Sequence, residues 1–295
     1  MGHVRHGVAV TALLLGLNLG LQSAWADDNS PGTGWTGGGV RTDVTLSRAE
    51  LQQLSNGQVG GQRFEYTATA NCPGASPGRT GSDSFCGQAV AACAGNTADE
   101  GLGPSVIVFR RPVDPANRPL GAWDRIGVTC FPEYVPGRAT PGMAMILQAF
   151  HDTDFAVPRA VVQPAGGRTL VNLETFFAVD FPTTGFGPDE VDHVDPARML
   201  GFRVDIRPRL GGVTYRFGDG ARTGPTTSLG GPYPGGDVRH TYRAPGTVTV
   251  RVDVTYAGQF RIGGGPWLDI PGTVTITGTP MPLEVALARA RLVSH

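Results

Sequence analysis

The chain has 295 residues and a mass of 30.9 kDa, with 44 glycines, 24 prolines, a charged fraction of 17% and a formal net charge of −1. All 24 basic residues are arginine, and the absence of lysine excludes a phosphate-binding P-loop, pyridoxal Schiff-base chemistry and a lysine general base. The near-neutral balance gives no electrostatic ground for nucleic acid or an anionic membrane surface as partner, while glycine and proline at nearly a quarter of the chain suit a mainly β protein of short strands and turns.

At the N-terminus, His3, Arg5 and His6 precede an apolar run from Val8 to Leu21, and Ala24-Trp25-Ala26 offers a small-residue cleavage site. Residues 1–26 therefore read as a signal peptide cleaved before Asp27, leaving no membrane span; an uncleaved anchor over residues 7–26 is the alternative, since about 20 residues suffice to cross a bilayer. Residues 27–57 are a flexible leader, rich in Gly, Ser and Pro at first and closing on Ser47-Arg48-Ala49-Glu50. That Ser-x-x-Glu spacing predicts a capped short helix over residues 47–54.

Residues 58–181 read as an irregular α+β section that carries all four cysteines, Cys72, Cys86, Cys93 and Cys130. In an oxidising compartment these are structural disulfides. The alanines between Cys86 and Cys93 favour a helix, which would set those two positions about 10 Å apart, beyond the roughly 7 Å that a disulfide spans. Pairing Cys72 with Cys86 and Cys93 with Cys130 is favoured, the second bridge tying the helix to a strand at residues 127–131. No C-x-x-C spacing or nearby histidine supports zinc. Strands are expected at residues 105–110, 126–131, 144–150 and 170–179. Acid–base groups are scarce here: one histidine, His151, and the glutamates Glu65, Glu100, Glu133 and Glu174. His151-Asp152-Thr153-Asp154 has no second ligand cluster at a useful spacing and reads as a solvated loop.

Residues 182–198 form an acidic, turn-rich linker and the best candidate boundary between domains. Asp189, Asp192 and Asp195, with Glu190 and His193 among them, are weak Ca²⁺ candidates; the EF-hand spacing is absent, so a plain linker is the favoured reading. No other metal site and no cofactor is expected.

Residues 199–295 show the clearest pattern. Phe202, Val204 and Ile206 alternate with Arg203, Asp205 and Arg207, and Val248, Val250, Val252 and Val254 alternate with Thr249, Arg251, Asp253 and Thr255. Phe260 with Ile262, Val274 with Ile276, and Leu283 with Val285 keep the same period of two, which means strands with one face in a core and one in water. Short strands at this spacing predict a sandwich of two sheets that folds on its own. Gly263-Gly264-Gly265 before Pro266-Trp267 predicts a hairpin that folds Trp267 back onto the sheet.

Two stretches in this section, Tyr215-Arg-Phe-Gly-Asp-Gly220 and His240-Thr-Tyr-Arg-Ala-Pro-Gly246 followed by the alternating valines, resemble the hallmark segments of the PKD (polycystic kidney disease) domain. The resemblance covers residues 199–292, and the layout is similar to secreted PKD-containing proteins of actinobacterial type. It implies an immunoglobulin-like β-sandwich of extracellular and cell-surface proteins, used as a spacer or adhesion module. The motif residues are then structural: Phe217, Gly218, Asp219 and Gly220 form a tight turn whose carboxylate accepts backbone N–H bonds, His240 is part of the structural motif rather than a catalytic base, Tyr242 packs into the sandwich, and Pro245-Gly246 turns the chain into the valine strand. The family usually has Trp where Tyr215 stands and an acidic residue where Arg216 stands.

No G-x-S-x-G elbow or H-E-x-x-H helix is present. The expected function is non-catalytic: an exported protein at the extracellular side or cell envelope, acting through a protein or cell-wall partner. The alternatives are a secreted hydrolase whose catalytic part lies in residues 64–180, or a carbohydrate-binding protein using Trp123, Trp267 and Tyr233 as stacking surfaces.

Overall fold

The computed structural model describes residues 44–55, 58–59 and 61–288. Residues 1–26, read above as a signal peptide, and the Gly-rich stretch that follows them lie outside the described residues. The first described element is helix α1 (Arg48–Leu54), where the expected capping box is complete: the Ser47 amide donates to Glu50 at 2.7 Å and the Glu50 amide to Ser47 Oγ at 3.3 Å. Its Leu51 is fully buried.

An antiparallel sheet follows, in the order β1 (Gln58–Val59), β2 (Gln62–Ala70), β3 (Val106–Val113) and β4 (Asp124–Thr129). The outer edge of β4 is covered by residues 44–46. The Val128 amide donates to the Val44 carbonyl and the Leu46 amide to the Val128 carbonyl, both at 2.8 Å. Gly127 permits that approach, because a Cβ there would lie 2.5 Å from the Val44 oxygen.

The long connection from β2 to β3 carries helix α2 (Gly87–Ala91) and three of the cysteines. The bridges are Cys72–Cys86, which closes the chain leaving β2, and Cys93–Cys130, which fastens the end of α2 to the end of β4. This is the pairing favoured by the helical spacing of Cys86 and Cys93.

Helix α3 (Met143–His151) stands where a strand is expected from sequence. The run Met-Ala-Met-Ile-Leu-Gln-Ala-Phe is apolar on nearly all sides, so its periodicity does not separate strand from helix. Propensity does: Ala, Met, Leu and Gln are strong helix formers. The buried positions Met143, Ile146, Ala149 and Phe150 recur with a helical period.

The remaining strands are β5 (Arg159–Gln163), β6 (Arg168–Leu170), β7 (Glu174–Asp180), β8 (Asp192–Val194), β9 (Val204–Arg216), β10 (Arg222–Thr226), β11 (Arg239–Thr241), β12 (Gly246–Ile262), β13 (Leu268–Thr277) and β14 (Met281–Ala286). They build two sheets. One runs β10-β9-β12-β14-β6, with β13 also on β12 and β8 on β9; the other is β11-β7-β5. The two pack face to face where the Phe177 ring of β7 meets Phe217 at 4.8 Å. The chain is thus mainly β, with several sheets and two disulfides. No described helix is long and apolar enough to cross a membrane.

This topology corrects the expected boundary at residues 182–198. Strands β5, β6 and β7 precede that segment, yet β7 pairs with β11, and β6 runs parallel to β14. The segment itself supplies β8 to the sheet, and the described residues on both sides of it fall in one compact unit. Local Pro, Gly and acidic content reports turns and says nothing about which distant strands pair. Within residues 199–295, Val204, Ile206, Tyr215, Phe217, Tyr242, Val250 and Val285 are buried as expected, whereas Phe202 and Val248 are half-buried.

A fragment of residues 199–295 lacks most of the second sheet and should show no cooperative transition in a circular-dichroism melt. Extension back to residue 154 should restore one; a sharp transition in the shorter fragment would make β5–β7 dispensable. The bridges should differ in worth, since one closes a separation of 14 residues and the other 37. Loop-closure entropy gives about 3 kcal/mol for the first and about 4 kcal/mol for the second. Urea melts of the two Cys→Ser double variants should rank them in that order.

Candidate functional site

The polar residues singled out by sequence meet at one end of the two facing sheets. Strand β9 ends at Arg216, and Phe217 leads into the turn Gly218-Asp219-Gly220 before β10. Both glycines have positive φ, +84° and +94°, and a Cβ on Gly218 would lie 2.5 Å from the Thr249 carbonyl oxygen. Asp219 spans the turn: one oxygen accepts from the Ala221 amide at 3.1 Å, and the other lies 2.7 Å from His240 Nε2. His240 belongs to β11, in the opposite sheet, so this contact joins the two layers.

The His240 ring lies flat on Phe217, with centroids 4.3 Å apart and planes within 2°, and its edge meets Tyr242 at 4.7 Å. Tyr242 is buried, and its hydroxyl donates to the Phe217 carbonyl at 3.0 Å. Burial, helped by the nearby Asp219 charge, pushes that hydroxyl well above ordinary tyrosine. Burial also pushes the Asp219 carboxyl up, but the hydrogen bonds from His240 and the Ala221 amide outweigh it and hold the group below ordinary aspartate.

An Asp–His pair in acyl transfer orients an imidazole whose second nitrogen faces a nucleophile or a water. Among the described residues no side chain hydrogen-bonds to His240 Nδ1, and one face of the ring is taken by Phe217. What the arrangement does is fasten β11 to the β9–β10 turn.

The other candidates are dispersed. Asp189 pairs with Arg209, Asp192 accepts from Thr153 Oγ1 at 3.1 Å, and Asp195 caps the short 3-10 helix Pro196–Met199 by accepting from the Ala197 amide at 2.9 Å. Among the described residues no three His, Cys, Asp or Glu side chains gather as metal ligands, so the weak Ca²⁺ reading of Asp189, Asp192 and Asp195 finds no shared site. His151 closes helix α3, and Asp152 is held by Gln148 and Arg198. The three aromatic rings do not form one platform. Trp123 lies before β4 beneath the Arg111 guanidinium, Trp267 is covered by Arg207 and Arg261 at 4.3 and 4.5 Å, and Tyr233, 72% exposed, stands on the β10–β11 connection.

Sequence alternation misassigned two aspartates to water. Asp205 and Asp253 are only 1% and 6% exposed. Asp205 sits in the register row His193–Asp205–Arg261, with His193 Nδ1 at 2.7 Å, Arg261 Nε at 2.8 Å and Arg203 at 3.6 Å. Burial pushes its carboxyl up, but the bonds from His193 and Arg261, with the charges of Arg261 and Arg203, hold it below the ordinary value. Asp253 lies between Arg216 and Arg251 at 2.7 and 2.9 Å. The aspartates do lie on the face away from the core, yet long arginine side chains fold over them. The signal was an Asp and an Arg two apart on each strand, and it becomes legible only once the strand register is known.

No protein-family model, curated protein or solved structure matches the chain.

Asp219 and Asp205 both have folded-state values below their unfolded ones, which lie near 3.9. The stability they contribute is therefore present above that pH and lost as pH falls through the folded values. Asp219→Ala should cost about 1–3 kcal/mol at neutral pH, with the gap to wild type narrowing below about pH 4. Gly220→Val should cost a similar amount, about 1–3 kcal/mol, because its backbone stands in a left-handed region. Urea melts across pH 2.5 to 7 measure both, and an unchanged midpoint for Asp219→Ala would remove the structural role.

Proposed function

We propose that this is an exported, non-catalytic protein that acts through contacts at the extracellular face or cell envelope, with the PKD-like residues 199–292, completed by β5–β7, serving as a spacer or adhesion module. The observation that carries the reading is the engagement of Asp219, His240 and Tyr242 with one another and with the Phe217 carbonyl. These are the motif residues with the most chemical potential, and their polar atoms serve the fold. Two disulfides and no free cysteine support an oxidising compartment. The signal-like segment at residues 1–26 supports cleavage before Asp27.

Purified protein, mixed with isolated cell walls of the producing organism, should sediment with them, and secreted material should begin at Asp27 with no thiol open to alkylation. Protein that stays in the supernatant, or turnover of peptide or glycan substrates that His240→Ala abolishes, would overturn the proposal.

A further inference from the structure

We infer that the outer face of the β10–β9–β12 sheet carries a binding site for a phosphoryl-bearing polyanion, built from Arg222, Arg216 and Arg251. The three stand on one register row: Arg222 is directly opposite Arg216, and Arg216 is directly opposite Arg251. Neighbouring strands lie about 4.8 Å apart, so the row places three guanidinium stems on one face within about 10 Å. Like charges directly opposite each other destabilise a sheet. A row of three needs counter-charge, and the fold supplies a single carboxylate, Asp253.

That carboxylate meets both arginines by their inner edges, Arg216 Nε at 2.7 Å and Arg251 Nε at 2.9 Å. Among the described residues the terminal amino groups of these two make one further contact, a long one from Arg251 Nη2 to Asp253 at 3.4 Å. Arg222 is exposed and makes no hydrogen bond or ion pair among the described residues. The neighbouring acids are already engaged: Asp219 in the adjoining turn with His240, and Glu284 along the same face with Arg168 at 2.9 Å. Three guanidiniums against one carboxylate leave two uncompensated positive charges on a chain whose net charge is −1.

The geometry favours phosphoryl oxygens over carboxylate. One guanidinium fork satisfies both oxygens of a planar carboxylate, whereas a tetrahedral phosphoryl group presents oxygens in several directions and accepts forks from neighbouring arginines at once. A row about 10 Å long exceeds a single phosphate and suits successive groups of one chain. Thr249, exposed two residues from Arg251 on the same face of β12, adds a hydroxyl donor. The site itself does not depend on export; its use toward a surface polymer rests on the envelope reading above.

Calorimetric titration of the purified protein with linear inorganic polyphosphate tests the site. Binding should occur at about 50 mM salt and weaken steeply by about 200 mM, as for contacts made by phosphate neutralisation. Arg222→Ala should weaken it about tenfold, the size expected for one charged hydrogen-bonding group. Its melting temperature should not fall, because Arg222 has no partner to lose and its removal relieves the like charge opposite Arg216. Arg118→Ala, at an exposed arginine on the β3–β4 connection, should bind as wild type does, and polyglutamate should bind at least tenfold more weakly than polyphosphate. Absence of polyphosphate binding, an equal loss in Arg118→Ala, or equal affinity for polyglutamate would each overturn the assignment. Failure of cell-wall sedimentation with polyphosphate binding intact would strike the envelope reading alone.

Discussion

A tyrosine hydroxyl sealed inside a β-structure must find an acceptor, or the ring's burial is offset by the cost of an unpaired polar group. Tyr242 finds its acceptor in the Phe217 carbonyl. That one bond fixes where β9 ends relative to the strand that follows β11. Phe217 is then held between Phe177 of the opposite sheet and the flat face of His240. His240 in turn reaches the Asp219 carboxylate, which requires the tight turn that only glycines at positions 218 and 220 permit without strain. Sheet packing, turn conformation and the end of β9 are therefore one constraint expressed three ways.

The cysteine-bearing part meets a different problem. Its four-stranded sheet is short, and the long connection from β2 to β3 has only the five-residue α2 as regular structure. Covalent bridges anchor that connection at both ends, and close backbone approaches do the rest: a Cβ on Gly101 would lie 2.5 Å from the Cys130 oxygen. Helix α3 joins this part to the sheets beyond it. Phe150 packs on Phe155, Phe155 on Tyr256, and Gly258 leaves room for the Phe150 ring. The buried apolar cluster runs without interruption from Leu51 to Val285.

Local signals were readable in the sequence, and long-range ones were not. Ser47 and Glu50 mark a helix start because both partners of the capping box lie within four residues. The valines from Val248 to Val254 mark a strand because burial on one face imposes a period of two. The Cys86–Cys93 spacing removes one pairing because helix pitch is a local quantity. By contrast, the segment at residues 144–150 is apolar on too many sides to reveal its period, and the acidic segment at residues 182–198 looks like a boundary because its composition carries no trace of β7 pairing with β11. The turn at Asp219 was legible, as was the burial of Tyr242; the contact of Asp219 with His240 and the arginine rows over Asp205 and Asp253 follow from which strands meet, which no single strand encodes.

The parallel pairing of β6 with β14 has a further consequence for the order in which the molecule is made. Arg168 aligns with Glu284, Thr169 with Val285 and Leu170 with Ala286. A growing chain that has just completed β6 has more than a hundred residues still to be added before the partner strand exists. Until then the apolar face of β7 waits for Phe217 and Val238, and no local hairpin can stand in for them. Loops of this length close slowly and reward the chain only late. Pairing of β6 is thus tied to the synthesis of β14, whereas the β1–β4 sheet, whose partners all lie within residues 58–130, is complete long before that strand exists.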